Sequence, residues 1–132
     1  MPVSQRVTQL CLFIFAFVAL AGGALQMVLG QPETTPRLDN VHRFLAGIYL
    51  GTGLICAWAG YTVRKQGTLV YLIGIAVLLA GTGRLASIAV VGLPQPSAVW
   101  LGYLIPELVV PWIMMGAQVV TSRRPPASPR TP

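Results

Sequence analysis

The sequence predicts an all-α protein, an antiparallel bundle of four transmembrane helices, and three observations carry that expectation. Of 132 residues, 55% are apolar and only 9% are charged. A soluble domain usually carries about 25% charged residues, so this chain lacks the polar surface that water would demand. Four apolar runs, about 7–29, 44–63, 68–91 and 98–121, are each long enough to cross a hydrocarbon layer of about 30 Å at 1.5 Å per residue. Short polar connections with prolines, glycines and basic residues separate the runs.

The first run follows a short head carrying Arg6. Ala19-Leu20-Ala21 resembles a signal-peptide cleavage site. The apolar stretch nevertheless continues through Met27-Val28-Leu29, beyond the 7 to 15 residues of a typical signal core, so an uncleaved span is expected. Ala19, Gly22 and Gly23 allow close helix packing, and Gln26 should face other helices. Residues 31–40 hold two prolines, Glu33, Arg37 and Asp39, and read as a loop. Asp39 or Asn40 is then expected to cap a helix beginning near Val41. That start places Arg43 in a first helical turn, where a cation opposes the macrodipole and should answer to a partner outside its own helix.

The second span contains Gly47-Ile48-Tyr49-Leu50-Gly51, a small-xxx-small spacing at which helix backbones approach closely. Gly47 and Gly51 are therefore the expected contact of any homo- or hetero-oligomer. Arg64-Lys65-Gln66-Gly67 is a very short basic turn, and helices joined so briefly are expected to be antiparallel neighbours. The third span places Arg84 inside Ala80-Gly81-Thr82-Gly83-Arg84-Leu85-Ala86-Ser87. Gly81, Ser87 and Ile88 share its helical face at steps of three and four. After the connection 92–97, the fourth span opens with Trp100 and Tyr103, side chains suited to the headgroup boundary. Glu107 falls between Pro106 and Pro111, where prolines remove backbone donors and a kink is expected. Residues 122–132 are proline-rich and basic, the pattern of a disordered tail.

Arg84 and Glu107 are the opposite charges within the last two spans, and a charge in hydrocarbon costs several kcal/mol unless it is paired. From the outer ends of their spans, Arg84 lies about 10 Å deep and Glu107 about 14 Å, so consecutive antiparallel helices can bring them together. Arg84, Glu107, Arg43, Asn40, Ser87 and Tyr103 form the expected binding site, with Gln26 as a further polar neighbour. Counting basic residues in the flanks sets Arg6, Arg64, Lys65, Arg123, Arg124 and Arg130 on one side, against Arg37 and Arg43 on the other. Both termini are then expected on the cytoplasmic side of a cell inner membrane.

Other classes fare poorly. The net charge of +6 is dispersed at the ends of apolar runs rather than gathered into a basic stripe, which argues against nucleic acid as a partner. Cys11 and Cys56 both lie inside spans and match no redox or zinc spacing, and a single histidine, His42, supports no metal cluster. No phosphate loop, nucleophile elbow or dinucleotide fingerprint occurs, so neither a cofactor nor a metal is expected.

The series Asn40-Val41-His42-Arg43-Phe44-Leu45-Ala46-Gly47, then Gly83-Arg84-Leu85-Ala86-Ser87 with Gly92-Leu93-Pro94, then Glu107, resembles the successive signatures of a family of small bacterial four-helix membrane proteins catalogued as a domain of unknown function. The resemblance covers nearly the whole chain. It implies that Asn40, Arg43, Arg84, Ser87 and Glu107 belong to one site, and it implies no activity.

The function expected first is the binding of a membrane lipid or small anionic molecule at the Arg/Glu site. The alternatives are a membrane enzyme, an isomerase or oxidoreductase partner using Glu107 as general acid or base on a lipid-soluble substrate; a small proton-coupled exporter; and a passive accessory subunit in which the ion pair only fixes helix register.

Overall fold

A computed structural model describes residues 1–125. Its four long helices are α1 (Val3–Leu29), α2 (Pro36–Tyr61), α3 (Thr68–Val91) and α4 (Ser97–Ser122), with a single 3-10 turn at Val63–Lys65, and the described residues contain no strand. Each helix is long and apolar enough to cross a membrane. Phe17, Leu54, Leu79 and Trp112, one from each helix, are all exposed. Large apolar side chains turned outward on every helix are stable against lipid tails and not against water. The tail expected over 122–132 lies, from residue 126 onward, outside the described residues.

The described residues divide into two compact units, 9–66 and 1–8 with 67–125. In the first, α1 and α2 run antiparallel and approach at glycines. A Cβ on Gly23 would lie 3.0 Å from the Ala46 carbonyl oxygen, one on Gly53 would lie 2.6 Å from Leu20 Cγ, and one on Gly60 would lie 3.0 Å from the Phe13 ring. Near the same end Gln9 Nε2 donates to the Gly60 carbonyl at 2.9 Å. That carbonyl belongs to the last turn of α2, where no intrahelical donor remains.

The start of α2 corrects the sequence expectation. The helix begins at Pro36, five residues before Val41, and Thr35 rather than Asp39 or Asn40 caps it, its Oγ1 accepting from the Leu38 amide at 3.3 Å. Proline at the first helical position gives up an amide that would have had no partner there and supplies a φ already suited to the helix. Threonine before it provides the acceptor. Residues 36–40, read as loop because of their prolines and charges, are instead the opening of α2.

In the second unit, α3 and α4 also run antiparallel. A Cβ on Gly74 would lie 2.9 Å from Met115 Cγ, and one on Gly81 would lie 2.8 Å from Leu108 Cδ2. The two glycines are seven residues apart, two turns on one face of α3, so α4 lies along a groove they leave open. Ser4 and Thr121 share a hydrogen bond at 2.8 Å, which ties the first turn of α1 to the last turns of α4. Thr8, fully buried, donates to the Ser4 carbonyl one turn back.

Candidate functional site: an ion pair between apolar helices

The face of α3 that carries Gly74 and Gly81 continues to Arg84, three residues further on. On α4 the buried residues Leu104, Pro111, Met114 and Gln118 recur at helical spacing, and Glu107 falls on the same stripe. Two stripes that face each other across the α3–α4 contact thus deliver one cation and one anion at matching levels. Arg84 Nε donates to Glu107 Oε2 at 2.7 Å, and the side chains are 30% and 17% exposed. Arg84 sits about 10 Å from the C-terminal end of α3 and Glu107 about 15 Å from the N-terminal end of α4, both well within the apolar length of their helices.

Tyr103 stands one turn before Glu107, and the Arg84 guanidinium carbon lies 5.7 Å from its ring centroid, within the range of a cation–π contact. Tyr103 in turn meets Trp100, with centroids 6.3 Å apart and planes tilted by 59°. The pair is therefore flanked toward the N-terminal end of α4 by two aromatic rings. Tyr103 is itself exposed, so this flank is open to the surroundings of the helix pair.

Helix α4 passes through Pro106 and Pro111 without interruption. Pro111 has no amide to give, so the Glu107 carbonyl lacks the donor four residues on that other helical carbonyls have.

Of the residues expected at one site, the structure brings together Arg84, Glu107 and Tyr103. Ser87 is exposed one turn beyond Arg84 on α3. Asn40 is exposed on α2. Arg43, expected to answer outside its own helix, has one partner of each kind. Its Nε donates to Asp39 Oδ2 at 2.9 Å, one turn back, and its Nη1 donates to the Met27 carbonyl near the end of α1. The second bond satisfies one of the carbonyls that a helix C-terminus leaves without a donor, and places positive charge at the negative end of the α1 dipole. Gly30 allows the arrangement by turning the chain at φ +64, with Arg43 Nη2 2.9 Å from where a Cβ would stand. The role of Asp39 was legible as an acid placed four residues before a base. The bond to Met27 had no sequence signal, because a backbone carbonyl looks the same at every position.

The chain matches the family described as "Domain of unknown function (DUF4345)" over residues 7–118. It belongs to that family. The match runs from the first span into the last turns of α4, so Asn40, Arg43, Arg84, Ser87, Tyr103 and Glu107 all fall within it. No curated protein and no solved structure matches the chain.

Proposed function

We propose that the protein binds the anionic or strongly polar headgroup of a membrane-soluble molecule at the Arg84/Glu107 site, from the outer leaflet of a cell inner membrane, with both termini in the cytoplasm. The observation that carries this reading is an ion pair set deep in apolar helices yet partly accessible, beside an exposed tyrosine. A pair kept only to fix register would be best served by complete enclosure, since every exposed edge of a charge in hydrocarbon costs free energy. An accessible edge is useful where a ligand supplies the missing solvation. An arriving anion shares the guanidinium with the Glu107 carboxylate, and the guanidinium's flat fork suits carboxylate and phosphate alike. Tyr103 and Trp100 then provide an aromatic wall for the apolar part of the ligand.

The test is the set of lipids that stay with the purified protein. Arg84→Leu should lose the anionic species retained by the wild type. Glu107→Gln, which removes the competing carboxylate but keeps its shape, should retain more of them. An identical lipid profile in all three proteins would sink the proposal.

We further propose, from their small-xxx-small spacing alone, that Gly47 and Gly51 are the contact of a homo- or hetero-oligomer. Both are exposed, and a Cβ on Gly51 would meet open space. Disulfide cross-linking of a Gly51→Cys variant in membranes checks this, a monomer-only pattern counting against it.

A further inference from the structure

The chain has nine basic and three acidic residues, and Glu107 is the acid that falls in the unit built from residues 1–8 and 67 onward. Asp39 is bound to Arg43, Glu107 is bound to Arg84, and Glu33 lies in the connection after the far end of α1. At the opposite end of the second unit, Arg6 stands in the second turn of α1, and Arg123 and Arg124 follow the last turn of α4. All three are exposed. The Ser4–Thr121 hydrogen bond holds those two helix ends together, with buried Thr8 supporting it one turn further in. The three arginines therefore share one end of the unit, and Glu107 lies 16 residues, about 24 Å, up α4 from Arg123.

The helix dipoles account for only part of this. Arg123 at the C-cap of α4 complements the negative end of its helix, but Arg6 sits near the positive end of α1, whose first turn contains no acid. Arg6 opposes its own helix, and among the described residues of its unit the one acid, Glu107, is bound to Arg84.

We propose that Arg6, Arg123 and Arg124 form a second binding surface, for the phosphate headgroups of anionic phospholipids in the leaflet that these helix ends reach. Each arginine lies where an apolar helix gives way to polar chain, the level at which headgroups lie in a bilayer. Guanidinium pairs with phosphate through two parallel N–H donors, and three of them on ends joined by a hydrogen bond present a field at little cost in ordering. This surface is independent of the Arg84/Glu107 site, lying at the other end of α4 from Tyr103.

The experiment uses the full chain in detergent micelles and follows binding of phosphatidylglycerol against phosphatidylcholine by native mass spectrometry. It is run in an Arg84→Met, Glu107→Met background, so that the membrane-interior site does not contribute and no lone charge is left between the helices. Changing Arg6, Arg123 and Arg124 together to Gln should weaken phosphatidylglycerol binding on the order of a hundred-fold, about five-fold per arginine. It should leave the weak phosphatidylcholine binding unchanged. The corresponding triple change to Lys keeps the charge and loses the paired donors, so its affinity should fall between those of the wild type and the Gln variant, which also shows that the ends tolerate substitution. Unaltered phosphatidylglycerol binding in the Gln variant would overturn the proposal. So would displacement of the lipid by equimolar inorganic phosphate or by a short DNA duplex, which would assign the surface to free phosphate or to nucleic acid.

Discussion

The two helical hairpins each contain one acid–arginine pair, and they use it in opposite ways. In α1–α2 the pair is Asp39 and Arg43, four residues apart on one helix, with side chains 30% and 44% exposed. In α3–α4 it is Arg84 and Glu107, on different helices, with side chains 30% and 17% exposed. A pair on a single helix closes no new tertiary contact, and in an exposed setting contributes a few tenths of a kcal/mol. A pair between helices inside an apolar layer fixes which turn of one faces which turn of the other. Breaking it leaves a lone charge where none is tolerated. The same two chemical groups are local decoration in one hairpin and a constraint on register in the other.

The comparison can be broken most forcefully at Glu107. Glu107→Ala should destabilise the protein by about 3 kcal/mol, because Arg84 is left uncompensated among apolar helices. The double variant Arg84→Met with Glu107→Met should recover most of that loss. Unfolding equilibria of the wild type, both single variants and the double variant in one detergent give the coupling, and additive losses would show that the two side chains do not sustain each other.

Glycines sharpen the comparison at the next level. A Cβ on Gly53 would meet Leu20 at 2.6 Å and the Leu20 backbone nitrogen at 3.0 Å, whereas one on Gly51 meets nothing. Gly53→Ala should therefore cost about 1 to 3 kcal/mol. In a monomeric preparation, Gly51→Ala on the same helix should be neutral or stabilising by up to about 1 kcal/mol. Thermal midpoints of the two variants, measured side by side, decide whether helix contact or intrinsic propensity dominates in α2.

At the turn after α1, Gly30→Ala should cost about 1 to 2 kcal/mol. The residue adopts φ +64, and an added methyl group would push Arg43 off the Met27 carbonyl. Smallest of all is Asp39→Ala, with an expected loss under about 0.5 kcal/mol that shrinks further in high salt. A loss at Asp39 as large as that at Glu107 would erase the distinction between the hairpins.

Much of this was readable before any tertiary information. Four spans followed from hydropathy, because lipid imposes length and composition on whatever crosses it. The partnership of Arg84 with Glu107 followed from scarcity, since two opposite charges in consecutive apolar helices have little else to pair with. The start of α2 was misread because prolines and charges in residues 31–40 resemble loop composition. The proline that seemed to exclude helix is the residue that begins it.

The sequence by itself thus determined that the chain is four apolar helices with one ion pair in the last two. It could do so because hydropathy and charge are properties of residues one at a time. Only the tertiary structure decided that Gly53 is packed while Gly51 is open, that Arg43 holds the end of α1, and that Ser4 meets Thr121 across 117 positions. Those facts depend on how helices are rotated and offset against each other, which side-chain shape settles through many weak contacts that no single residue announces.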